Sequence, residues 1–176
     1  MKNQTNLRNL CLSAMFLALA FVLPFLTGQI PEIGNMLCPM HIPVLLCGFV
    51  CGGPWGFAVG LIAPILRSVT IGAPTLFPRA VAMAFELAAY GFFTGLFHKI
   101  LPKKKPYIYL SLVLSMIIGR LVWGAAQFCF MGLAHTEFSL AKFWAGAVTE
   151  AIPGIILQLA VIPVLVMMLK KSKDIR

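Results

Sequence analysis

Apolar runs follow one another along nearly the whole chain, each closed by a short break of Gly, Pro or Lys. A bilayer core takes about 20 apolar residues per crossing helix. Runs near that length occupy about 10–27, 55–70, 77–98, 107–133 and 141–169, and a shorter one occupies about 40–51. Only 11% of the 176 residues are charged, against about 25% in an average soluble domain. Water would demand more charge on a surface this size, and lipid removes the demand. The pattern predicts an all-α integral membrane protein: one six-helix transmembrane bundle over residues 1–176, with no room for a soluble domain.

The formal charge is +9, and most of the basic residues flank the apolar runs: Lys2 and Arg8; Lys99, Lys103, Lys104 and Lys105; Lys170, Lys171, Lys173 and Arg176. Cytoplasmic loops carry such an excess. The reading is a multi-pass protein of the cell membrane with both termini and the basic loop 99–106 inside, and external loops at about 28–39, 71–76 and 134–140. The short run 40–51 is the variable. Merged with 55–70 it gives five spans and puts Lys2 and Arg8 outside. The positive-inside rule and the turn chemistry of Gly52-Gly53-Pro54 favour six. No basic face alternates with aromatics, so a nucleic-acid partner is not expected. The first run follows a basic tail, as in a signal peptide, but Pro24 and Phe25 stand where cleavage needs small residues, so a retained helix is expected. The five cysteines read as small apolar residues.

Small residues recur four apart: Ala14 and Ala18; Gly48 and Gly52; Gly56 and Gly60; Ala80, Ala84 and Ala88, then Gly91 and Gly95. Residues at this spacing share a helix face, and small ones let backbones approach closely in lipid. Packing inside the bundle accounts for most of them. The Ala14/Ala18 face, in a run without ionisable groups, suits a partner protein equally.

Ionisable side chains within spans are costly and usually face the bundle interior or a cavity. Arg67, Arg79, Glu86, Arg120 and Glu150 are such groups or close to it. A continuous helix from residue 77 puts Arg79, Glu86 and Tyr90 on one face, with Glu86 roughly 10 Å deeper than Arg79. Gln127 lies two turns beyond Arg120, and His41 starts the second run beside the loop carrying Asn35. These groups converge on the outer half of the bundle. Two readings stay open: Glu86 and Arg120 as a buried ion pair that fixes helix register, or a polar, outward-facing cavity for a small hydrophilic solute. Arg67 and Arg79 also suit simple snorkelling at the interface.

No His-Glu-x-x-His, Gly-x-Ser-x-Gly or phosphate-cradling loop is present. No enzyme chemistry, metal or cofactor is expected. Internal repeats, which many secondary transporters carry, are also missing. A solute cavity without an engine points to a subunit.

The stretch from His41 through Ile-Pro-Val-Leu-Leu-Cys to Gly48, then Gly52-Gly-Pro-Trp-Gly56, Gly60, Phe77-Pro, Met83-Ala-Phe-Glu86 and Tyr90-Gly91 resembles the substrate-specific S components of energy-coupling factor (ECF) vitamin transporters. Ala14-x-x-x-Ala18 is similar to that family's Ala-x-x-x-Ala contact motif. The resemblance covers nearly the whole chain. It implies a high-affinity subunit that captures a vitamin or related micronutrient outside. Its first helices dock on a transmembrane coupling subunit that carries two ATPase subunits, and it topples to release the solute inside. By the same resemblance the loop 28–39 is the lid. The polar residues read above give the candidate solute site: Asn35, His41, Arg67, Arg79, Glu86, Arg120, Gln127 and Glu150. Patterns of the thiamine, biotin and riboflavin members are not evident. Three arginines would suit an anion such as pantothenate, two glutamates offset them, and cobalamin and pyrimidine-type solutes stay open. The alternative is a self-sufficient small-solute transporter or channel.

Overall fold

The computed structural model describes residues 2–26, 39–102, 104–133 and 152–171. Among these the chain forms six helices: α1 Lys2–Leu26, α2 His41–Cys51, α3 Gly53–Ile71, α4 Val81–Ile100, α5 Lys105–Leu133 and α6 Ile152–Lys171. All but α2 belong to stretches long and apolar enough to cross a membrane. Most of the loop expected at 28–39, the loop 134–140 and residues 141–151 lie outside the described residues.

The helices begin and end where backbone chemistry, not hydropathy, requires. α1 starts well before its apolar run, because Asn3 to Asn9 include no helix breaker. α5 starts at Lys105, with Pro106 in the first turn, where its missing N–H costs nothing. α2 and α3 stay separate because Gly52 adopts φ 95° and ψ 169°, a backbone region that side chains bar. Pro54 then fits the first turn of α3, and Gly72 closes that helix in the left-handed conformation at φ 77°. An irregular turn, Leu76–Ala80, leads into α4, and Phe77 within it is extended at φ −122° and ψ 136°. The peptides before Pro74 and Pro78 are cis.

α4 is the central helix and packs against α3, α5 and α2. Its contact with α3 is made of backbone. A Cβ on Gly91 would collide with the backbone of Gly56, one on Gly60 with the Leu87 carbonyl, and one on Gly95 with the Gly53 nitrogen. Gly48 brings α2 into the same seam, against the Gly91 carbonyl. Ala80, Ala84 and Ala88 are buried as their spacing predicts. In lipid no hydrophobic drive pulls helices together, so such close van der Waals packing has to hold them.

α2 is only about 16 Å long by the helical rise, shorter than the roughly 30 Å bilayer core, and ten of its eleven residues are buried. Its neighbours α1, α3, α4 and α6 screen it from lipid. α1 is the opposite case. It packs on α2 and α3 through Ser13, Phe16 and Ala20, while Leu7, Leu10, Met15 and Val22 are exposed. Ser13 lies 3.6 Å from the Cys47 sulfur, and Asn9 donates to the Cys51 carbonyl across 3.4 Å.

Candidate functional site

Three helices bring their polar residues to one point. α4 supplies Glu86 and, one turn on, Tyr90. α5 supplies Arg120, and the first residue of α2 is His41. The three groups meet on one carboxylate oxygen, Glu86 Oε1. The Arg120 Nη1 lies 2.9 Å from it, the Tyr90 hydroxyl donates to it across 2.9 Å, and the His41 Nε2 stands 3.7 Å away. The His41 and Tyr90 rings pack with centroids 5.3 Å apart.

Local sequence explains the convergence. Glu86 and Tyr90 are four apart on one helix, so they stack on a face. Tyr90 fits only because residue 119 is glycine: a Cβ there would lie inside the Tyr90 ring. The same close approach brings the neighbouring Arg120 to Glu86. Glu86 is 2% exposed, Tyr90 1% and His41 2%. A bare carboxylate at such a place would be prohibitive, and the guanidinium with two further polar groups makes it tolerable. The cluster sits roughly 20 Å along α4 and α5 from the lysine-bearing connection between them.

Polar capacity is left over. Neither ring nitrogen of His41 makes a hydrogen bond among the described residues. The side-chain carbonyl of Gln127, two turns beyond Arg120, is likewise unmatched there. So is that of Gln158 on α6, a residue the sequence reading missed, although an amide in an otherwise apolar span was the signal that could have found it. By contrast Ser111 and Ser115 return their hydroxyl protons to carbonyls of their own helix, at 2.8 and 2.6 Å, and ask nothing of a ligand.

The other expected site residues are placed differently. Arg67 is buried, but its Nε donates to the Ala73 carbonyl at 3.1 Å, and its guanidinium lies 6.0 Å from the Phe25 ring centre. Beside it Ser68 donates to the Pro74 carbonyl at 2.7 Å. Together they tie the end of α3 to the turn that follows. Arg79 is exposed, and no ion pair joins it to Glu86 among the described residues. The extended Phe77 lies in the irregular turn two residues before Arg79, and the α-helix runs from Val81. Asn35 and Glu150 lie outside the described residues. No group of three or more His, Cys, Asp or Glu among the described residues could hold a metal ion. Ala14 and Ala18 are both exposed on α1.

No curated protein and no solved structure matches the chain. Residues 8–166 match the family described as ECF transporter, substrate-specific component. That match spans all six helices and takes in the Glu86 cluster, the glycine seam and the Ala14/Ala18 face, so the chain belongs to the family of substrate-specific components of ECF transporters.

Proposed function

We propose that the protein captures a vitamin or related micronutrient with high affinity outside the cell and delivers it through an ATP-driven ECF importer. The solute is held beside His41, Glu86 and Arg120. The observation that carries this reading is the buried cluster: three helices bring polar groups to one point deep in an apolar bundle, and among the described residues both His41 nitrogens are without hydrogen bonds. A register pin alone needs the Glu86–Arg120 pair. It does not need an imidazole beside it whose nitrogens make no hydrogen bond among the described residues.

Family membership makes the chain a substrate-binding subunit of a multi-pass membrane transporter rather than an enzyme. In our reading ATP hydrolysis belongs to two partner ATPases, and a transmembrane coupling subunit docks on the exposed Ala14/Ala18 face. Both termini and the lysine loop lie in the cytoplasm, with the buried α2 counted as the second crossing, which turns the cluster outward. Gln127 extends the site, Asn35 and Glu150 join it from the flanking segments, and Arg67 and Arg79 stand at its rim. With Arg67 engaged by Ala73 and Arg79 exposed, the arginine argument for an anionic solute weakens.

The test is native mass spectrometry of the gently extracted protein with its retained solute, followed by binding of that solute to variants. Glu86→Ala and Arg120→Ala should each weaken binding at least about tenfold, the scale of one lost charge-assisted hydrogen bond. Unchanged affinity in both would make the cluster purely structural. Uptake by the purified chain alone, in ATP-free vesicles under an ion gradient, would overturn the subunit reading.

A further inference from the structure

A cavity of about 490 Å³ lies between α3, α4 and α5 and contains none of the cluster's side chains. Its size falls within the roughly 300–1,000 Å³ of small-molecule sites. The floor is made of methyl groups, Ala88 and Ala89, and the walls are rings: Phe57, Phe85, Phe92 and Phe93. Two alanines between four phenyl groups leave a slot. The walls brace one another, with Phe57 edge-on to Phe92 at 6.4 Å and Phe92 edge-on to Phe93 at 5.4 Å. Phe57, Phe85 and Phe92 also stay partly exposed, so the slot opens on the outer surface of the bundle.

None of these side chains donates or accepts a hydrogen bond. A hydrophilic solute gains nothing there, so the slot is not a second transport site. In a bilayer its opening meets acyl chains. What selects one lipid over another lies further along α4. Phe85, Phe92 and Lys99 recur every seven residues and therefore share a helix face. Lys99 follows Phe92 by roughly 10 Å along the axis, at the membrane end of the helix. Its side chain is exposed, as are those of Lys104 and Lys105 just beyond. An apolar slot with ammonium groups beyond one end complements a molecule with an apolar chain and an anionic head.

We propose that this groove binds one acyl chain of an anionic phospholipid, with the phosphate held at Lys99. The inference rests on the helices spanning a membrane and is independent of which solute the cluster takes.

Reconstitution of the full chain in vesicles of equal parts phosphatidylcholine and phosphatidylglycerol tests it, with native mass spectrometry after mild extraction. Phosphatidylglycerol should be retained in preference to phosphatidylcholine. Lys99→Gln, an exposed substitution, should lower that preference roughly fivefold, from the ordinary attraction of one lysine to an anionic headgroup. A benzophenone side chain in place of Phe57 should capture phospholipid on illumination. Equal retention of the two lipids by the unaltered chain, or an unchanged preference in Lys99→Gln, would overturn the proposal. So would a benzophenone adduct with a protein in the assembled transporter, because the groove would then be a subunit contact.

Discussion

The face of α4 that meets α3 and the face that meets α5 are built from opposite materials, although their residues alternate along one helix. Toward α3 stand Leu87, Gly91 and Gly95, and the backbones touch without a polar side chain between them. Toward α5 stand Glu86 and Tyr90, and contact runs through a carboxylate and a guanidinium, joined by the imidazole at the first residue of α2. The first interface is stable by shape alone and has no tolerance for added atoms. The second depends on pairing. It keeps its stability only while every charge has its partner, and among the described residues it leaves both His41 nitrogens without hydrogen bonds. A solute-binding bundle needs both: a seam that holds the helices without consuming polar groups, and a polar point that a ligand completes.

The sharpest way to break this contrast is to load the seam. Gly91→Leu drives a side chain into the backbone of Gly56, which can move only by parting α3 from α4. Overpacking typically costs about 1–3 kcal/mol where side chains yield. Here nothing yields, so loss of monodisperse, folded protein in detergent is expected. A variant that unfolds within a degree or two of the parent would show that the helices are not in backbone contact.

The polar face should respond more gradually and be rescuable. Arg120→Ala leaves Glu86 buried without its cation, at a cost of about 3–5 kcal/mol in thermal or chemical unfolding. Pairing Arg120→Met with Glu86→Gln removes both charges and should restore most of that stability. Solute binding should stay lost. Recovery of binding together with stability would reduce the cluster to a register pin.

The smallest stability effect belongs to α1. Ala14→Trp with Ala18→Trp changes two exposed positions, so the unfolding free energy should move by no more than about 0.5 kcal/mol. Solute binding should persist while uptake by the assembled transporter stops. Normal uptake would place the docking face elsewhere.

Much of this architecture was legible before any coordinates. Apolar runs marked the spans, and Gly52-Gly53-Pro54 marked the joint that keeps α2 and α3 apart, since only glycine takes the conformation found at residue 52. The Ala80/Ala84/Ala88 stripe announced a buried face, and the pairing of Glu86 with Arg120 was one of two readings of the same charges. Less legible was the route of Arg67, because its acceptor is the backbone carbonyl of Ala73, and every residue type carries that group. The irregular turn at Leu76–Ala80 was not legible for a related reason: periodicity assumes a regular helix, and Phe77 is extended.

The sequence by itself determined the solvent, the helices and the residues that lipid would reject, because those follow from side-chain transfer energies and local backbone limits. Only the tertiary structure decided which rejected residues meet. Glu86, Tyr90, Arg120 and His41 come from three helices and share one oxygen because Gly119 admits a tyrosine ring and a glycine seam draws α2, α3 and α4 together. It also decided why an apolar helix shorter than the bilayer core is accommodated in a membrane protein. α2 is covered by its neighbours, and hydropathy carries no information about which neighbour a helix will have.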